Sequence, residues 1–481
     1  MVNKKLFSML GIGLALAAGG VAAAEDEILV GSEQNSVMQV SIYNNNLAFV
    51  KDTRNVTLGQ GANSIAFEGV ASQMRPETAL LLGDGIRVVE QNYDYDLLNA
   101  NNLLESSIGE TVKTALYNEQ TGQTTFDKAK VLNSNYGSPV LQFSYGVETN
   151  FPGRIIYEKL PANLRVKPTL VINLDSVAAG NKPLELAYLT NGLSWKADYV
   201  ADLKADNKLA LNGWITLNNE SGTDYKNAEV QLIAGSINQV AAPRPVMARM
   251  MKAAGAVMDS FAVNESASMP ASEAFADYYL YTLPVKTTLK DKQTKQVSLL
   301  SRENVSFGKE YRLVSPLYIG VNARQNEFKK ANPEVIIKLN NRQEDNLGIA
   351  LPEGTVRFYE NDSRGDVQFI GESRLEQLAK GEEAELQIGK AFDVYAAGKV
   401  TDVRKISKDV SEADLEITFN NVKAEAVEVK FEQNFSNSWE ILSESLQSAK
   451  KNADTAVWTL QLPADGKTVL KFKVRVSRNP S

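Results

Sequence analysis

The residue types that most often carry catalysis are the ones this sequence lacks. Its 481 residues include no histidine and no cysteine. Ser-His-Asp and Cys-His mechanisms are therefore excluded, since each needs an imidazole base. The usual zinc sites need imidazole or thiolate, and haem and iron–sulfur ligation draw on the same groups. Three chemistries survive: paired carboxylates, Ser-Lys or Tyr-Lys pairs, and hard-cation binding by oxygen. The S-x-x-K spacing occurs at Ser306–Lys309 and Ser448–Lys451. A serine acyl enzyme also needs S-D-N and K-T-G elements. Gly466–Val469 comes nearest to the latter and does not fit, so the spacing reads as chance. The Asp-Thr-Gly and Asp-Ser-Gly signatures of aspartic proteases are absent.

Carboxylate pairs are abundant by number alone, with 58 acidic residues. Glycoside hydrolysis needs two of them about 5–10 Å apart across a cleft, a spacing that one sequence does not display. Oxygen ligands gather at Asn361–Asp366 and at Asp94, Asp96 and Asn99. Neither cluster follows the EF-hand spacing, and both read as exposed turns, where Asn, Asp and Gly belong. No metal and no cofactor is expected.

Two groups of residues suggest binding. The stretch Asn191–Gly235 holds two of the four tryptophans, Trp195 and Trp214. With Asp198, Tyr199, Asn219, Asp224 and Tyr225 they could form an aromatic platform for a sugar ring. The favoured reading is β-construction, because Trp and Tyr favour half-buried strands and Asn, Asp and Gly favour turns. On that reading Trp195 and Trp214 are framework unless one of them faces solvent. The second group is Met247, Met250, Met251, Met258 and Phe261, which fall at helical spacing beside Arg244, Arg249 and Lys252. Three readings stand open there: a spacer of biased composition, an adaptable helix for a partner or membrane surface, and a thioether site for Cu(I).

The elements that must position these residues read as β throughout. Leu209, Leu211, Ile215 and Leu217 alternate with Asn212, Trp214, Thr216 and Asn218, the period of a strand with one buried face. The same alternation runs through Ser36–Leu58, broken by an Asn44–Asn46 turn. It returns at Leu415–Phe419, Val427–Phe431, Ala456–Leu460 and Leu470–Val476. "EVIIKLNN" and "LGIALPEGTVRFYE" look like one hairpin pair, and "ENDSRGD" turns into "VQFIGES" as another. Leu375 and Leu378 in "SRLEQLAKGE" suggest a short helix. Short strands at roughly 8–12-residue spacing point to an all-β, multidomain β-sandwich of immunoglobulin-like architecture.

The first residues have the three parts of an export signal. Lys4 and Lys5 precede an apolar Leu6–Ala18, and small residues lead to an expected cleavage after Ala24. No later segment has the length of a membrane span. A formal charge of −7 and a pI near 5.2 offer no basic footprint for nucleic acid. The expected setting is the periplasm or the cell exterior.

Four ordered motifs carry a family resemblance: "YLTNGLSWKADYVADL", "LNGWITLNNESGTDYKNAEVQLIAG", "YYLYTLP" and "LPEGTVRFYEND". Together they resemble the bacterial domain-of-unknown-function family 4139, from about Val37 to the C-terminus. Some relatives are mucoidy-inhibitor-like proteins with a long coiled coil ahead of the shared domain, and this sequence has none. The resemblance implies a secreted, β-rich protein and brings no catalytic residues.

The expected organisation is a signal peptide at 1–24 and an N-terminal β domain at 25–182. A central β domain follows at 183–400, interrupted by a Met/Ala/Pro-rich loop at 237–276, and a C-terminal sandwich at 401–481. The expected function is that of a non-enzymatic envelope binding or assembly module. Its partner would be an envelope protein or polysaccharide, with peripheral membrane contact through the Met-rich loop as a further option. The alternative is a carboxylate-dependent hydrolase of an envelope polysaccharide.

Overall fold

A computed structural model describes residues 27–94, 96–135, 138–161, 164–235, 271–275 and 278–478. The expected signal segment lies outside the described residues, as do Met247, Met250, Met251, Met258 and Phe261. The fold is all-β, with Ala100–Glu105 the one α-helix among the described residues. The chain forms two compact units. Of the described residues, one holds those up to Met38 and those of Val50–Leu189; the other holds Gln39–Phe49 and those from Thr190 onward.

In the first unit, Ile28–Val30, Gly61–Glu68, Thr169–Ser176 and Ile86–Asp94 form a four-stranded sheet in that order. Arg54 is fully buried beside it. Its Nε and Nη2 donate to Asp52 Oδ2 at 3.0 and 2.6 Å, and its Nη1 donates to the carbonyls of Val30 and Glu68. Asn35 Nδ2 donates to the other Asp52 oxygen at 2.6 Å, so the buried charge pair is hydrogen-bonded on both sides. A second sheet has five antiparallel strands, ordered Gly146–Glu148, Ser138–Phe143, Gln123–Asn135, Thr111–Asn118 and Arg154–Ile156. Leu104 of the helix packs with Val112, Ala129, Val131, Leu141 and Phe143 over one face of it.

In the second unit, Leu193–Lys204 and Lys208–Asn219 form a hairpin in continuous register, Leu193 opposite Asn219 and Lys204 opposite Lys208. Asp206 and Asn207, both left-handed (φ 58° and 56°), close it, as tight hairpin turns require. Leu209, Leu211, Ile215 and Leu217 are buried, while Asn212, Trp214, Thr216 and Asn218 lie outward, as the alternation predicts. The 22-residue strand Gln293–Val314 pairs first with Lys208–Asn219 and then with Glu334–Asn340 and Val427–Asn434. Its far end belongs to a sandwich whose other sheet is Glu327–Ala331, Val394–Lys405, Val410–Asn421, Gly466–Ser477 and Ser438–Glu444. One core joins the two sheets: Tyr311, Leu313, Phe431 and Trp458 from the first, Ile417, Phe419, Phe472 and Val474 from the second. Trp458 stacks on Phe472 at 4.5 Å, an arrangement worth about 1 kcal/mol beyond its buried area.

Three sequence-based expectations need correction. The helix expected at "SRLEQLAKGE" is absent. Ser373–Leu375 continue a strand paired with Gly354–Val356, and Leu378 bridges Leu351. A strand end and a bridged turn bury both leucines just as a helical i, i+3 pair would. Glu334–Asn340 pairs with Glu383–Lys390 and Gln293–Val314; it makes no hairpin with Gly354–Asn361, whose neighbours are Leu193–Lys204 and Val367–Leu375. The oxygen-rich cluster of Asp94, Asp96 and Asn99 runs from a strand end to a helix start and is not a simple turn: Asp94 closes the strand Ile86–Asp94, and Asn99 Oδ1 accepts from the backbone N–H groups of Asn101 and Asn102, the usual service of an N-cap. Asp94 pairs with Arg165 at 2.9 Å.

Candidate functional site

The strand Leu193–Lys204 turns Trp195, Ala197, Tyr199 and Ala201 inward and Lys196, Asp198, Val200 and Asp202 outward. Tyr199 is wholly buried. Its ring lies beside Gly213 and Gly354, where an added Cβ would come within 3.2 and 2.9 Å of ring carbons. Its hydroxyl donates to the Pro352 carbonyl at 2.8 Å, and burial pushes its pKa well above the ordinary tyrosine value. Asn219 serves the following connector: its amide donates to the carbonyls of Thr223 and Leu289, and its oxygen accepts from Ser221. The buried Tyr225 donates to Ser221 Oγ at 3.0 Å, and Asp224 accepts from the Asp291 backbone at 2.8 Å. Tyr199, Asn219 and Tyr225 thus hold strand and turn in place.

Trp195 and Trp214 fall on opposite faces of the hairpin. Trp195 is 5% exposed and Trp214 is 38% exposed, so a single platform made of both does not form. Trp214 stands directly opposite Asp198 in the register. Asp198 accepts from Arg357 Nη1 at 3.0 Å and from Thr216 Oγ1 at 3.2 Å, and it lies 3.4 Å from Lys196 Nζ. A neutral ladder continues across the same face. Gln296 Nε2 donates to Thr216, Thr294 Oγ1 to Asn218, and Ser301 Oγ to Asn212 at 2.7 Å. The outcome is an exposed indole bordered by one tied carboxylate and several amide and hydroxyl groups.

Lys196 joins this face to a cavity of about 480 Å³ lined also by Asn44, Trp195, Glu353, Glu376 and Gln377. That volume is within the usual range for small-ligand sites. Arg374 ties the two carboxylates together, with Nη2 3.0 Å from Glu353 and Nε 3.2 Å from Glu376. Asn44 Nδ2 donates to Glu353 at 3.2 Å. Trp195 Nε1, Asn44 Oδ1 and the Tyr281 hydroxyl are buried without hydrogen-bond partners among the described residues, and the Trp195 and Tyr281 rings are 6.3 Å apart. Each orphaned group costs roughly 1–3 kcal/mol. Sequence reasoning missed Asn44, Glu353, Glu376 and Arg357, because nothing in their local patterns marks strands that meet only in the folded chain.

Residues 184–479 match the family described as a domain of unknown function (DUF4139). The chain belongs to the DUF4139 family. The matched stretch holds most of the second unit, including Trp214, its ladder and most of the cavity wall. It is shorter than the extent from Val37 suggested by the four motifs. The first unit's five-stranded sheet lies before the DUF4139 match. No curated protein matches the chain. No helix among the described residues is long and apolar enough to cross a membrane.

Proposed function

We propose that this DUF4139 protein is exported to the periplasm or cell exterior and acts there as a non-enzymatic binding or assembly module. Its ligand is an envelope polymer dense in hydroxyl groups. The observation that carries this reading is Trp214, a half-exposed indole set on a rigid strand among neutral hydrogen-bonding side chains. Such a surface offers an apolar ring face with donors and acceptors beside it, a combination that suits a sugar ring. The charged start of the sequence and its Ala-rich end at Ala24 support export.

The hydrolase reading draws less support. The cavity carboxylates Glu353 and Glu376 share one guanidinium. The carboxylates with displaced pKa values, Glu310, Glu385, Glu412, Glu416 and Asp362, all move downward, opposite to what a general acid needs.

Titration of the full-length mature protein with soluble peptidoglycan and polysaccharide fragments tests both readings. Trp214→Ala should weaken binding roughly 30-fold, the typical effect of removing an aromatic anchor worth about 2 kcal/mol. Unchanged binding in that variant refutes the platform. Release of reducing ends by the wild type, lost in Glu353→Gln or Glu376→Gln, overturns the non-enzymatic assignment.

A further inference from the structure

The five-stranded sheet of the first unit has two unlike faces. One is covered by the helix and buries Val112, Ala129, Val131 and Leu141. The register fixes what lies on the other. Lys113 is opposite Lys128, Ala115 is opposite Phe126, and Tyr117 is opposite Thr124. Lys130 shares this face with Gln142, and Gln142 shares it with Val147. On the far side, Arg154 stands opposite Ala115 and Ile156 opposite Lys113.

This second face therefore gathers four cations, Lys113, Lys128, Lys130 and Arg154, around exposed apolar side chains. Phe126 and Tyr117 are each 57% exposed and Val147 is 56% exposed. No Asp or Glu occupies a strand position on it. None of the four cations is ion-paired among the described residues, whereas cations elsewhere in the chain commonly are, as with Arg165 and Arg312. In a chain of net charge −7, a one-signed basic face with apolar side chains left open calls for an anionic, amphiphilic partner.

We propose that this face docks on an anionic lipid surface, its cations meeting the headgroups and Phe126, Tyr117, Val147 and Ile156 entering the interfacial layer. Single-stranded nucleic acid would also meet bases and aromatics on a basic sheet. It fits less well, because Lys113 Nζ sits 4.4 Å from the Phe126 ring centroid and occupies one side of the ring that a base would stack on. Val147 and Ile156 suit acyl chains and offer nothing to a base edge. The inference does not depend on the Trp214 face, which lies in the other unit.

The test is co-sedimentation of the full-length mature protein with vesicles of equal parts phosphatidylglycerol and phosphatidylcholine, beside vesicles of phosphatidylcholine alone. Binding to the anionic vesicles only, falling as salt screens the charges, is the expected result. Lys128→Glu/Lys130→Glu, two exposed substitutions, should lower partitioning at least about tenfold, and Phe126→Ser should lower it independently. Three results overturn the proposal: no sedimentation with anionic vesicles, equal sedimentation with both, or wild-type partitioning by the double charge variant. Binding of a single-stranded oligonucleotide without vesicle binding assigns the face to nucleic acid instead.

Discussion

Replacing Arg54 with methionine should cost the first unit most of its stability margin. The Asp52 and Arg54 side chains are each 2% exposed, so solvent does not screen the pair. Arg54→Met keeps an unbranched apolar chain of similar reach beside Phe67, whose ring the guanidinium now faces at 5.4 Å. It leaves the Asp52 carboxylate buried with the Asn35 amide as its remaining partner and removes a donor from the Val30 and Glu68 carbonyls. Breaking a buried pair in this way costs about 3–5 kcal/mol. For a unit of this size that lowers Tm by roughly 10 °C. The double variant Asp52→Asn/Arg54→Met removes the stranded charge and should recover more than half of the loss, because most of the penalty is the unpaired ion. Calorimetry on the wild type, both single variants and the double variant closes the cycle. A loss below about 1 kcal/mol in Arg54→Met, or a double variant no better than Arg54→Met, would show that the two charges do not depend on each other as a buried pair.

Acid should weaken the second unit through Glu385. Hydrogen bonds from Arg312 and Lys338 hold its pKa down at about 2, so its stabilisation is full above the ordinary carboxylate pKa and is lost as pH falls from there toward 2. Because Glu385 is 41% exposed, solvent screening reduces the effect to about 1 kcal/mol. Glu385→Gln should flatten the acid limb of a stability–pH curve and leave an unchanged slope above pH about 5. Gly371→Ala should cost more than about 2 kcal/mol in urea titrations, since φ is +153° and the new Cβ would lie 2.1 Å from the Ile388 carbonyl oxygen. Trp195→Phe removes an indole N–H that has no partner among the described residues. It should therefore lower Tm less than Trp458→Phe, which breaks a 2.9 Å bond to Glu444.

The sequence pattern made the fold class legible because alternation is local. Lys208–Asn219 and Val410–Asn421 each display their buried and outward faces without reference to a partner. Partner choice was not legible. Glu334–Asn340 finds Glu383–Lys390 across more than forty intervening positions, and no turn signal announces that pairing. The candidate site was half visible. Trp214 and Asp198 stand together on the outer face, while Tyr199, Asn219 and Tyr225 are buried, their polar atoms bonded to Pro352, to Thr223 and Leu289, and to Ser221. The same residue types serve both purposes, and only their burial and bonding separate them. The helix at Ala100 did carry a readable sign in the Asn99 cap, masked because Asp and Asn are also the residues of turns.

The strand Gln293–Val314 sets a limit on how this protein can be cut. At about 70 Å when extended, it is a member of two packed bodies at once. Tyr311 and Leu313 at its end complete the sandwich core, while Leu299, Leu300 and Val305 near its middle are buried as well. A fragment beginning at residue 401 would leave Phe431 and Trp458 facing a gap where Tyr311, Leu313 and Val394 now sit. The two bodies should melt in a single cooperative step, and any usable expression boundary inside the second unit must keep that strand whole.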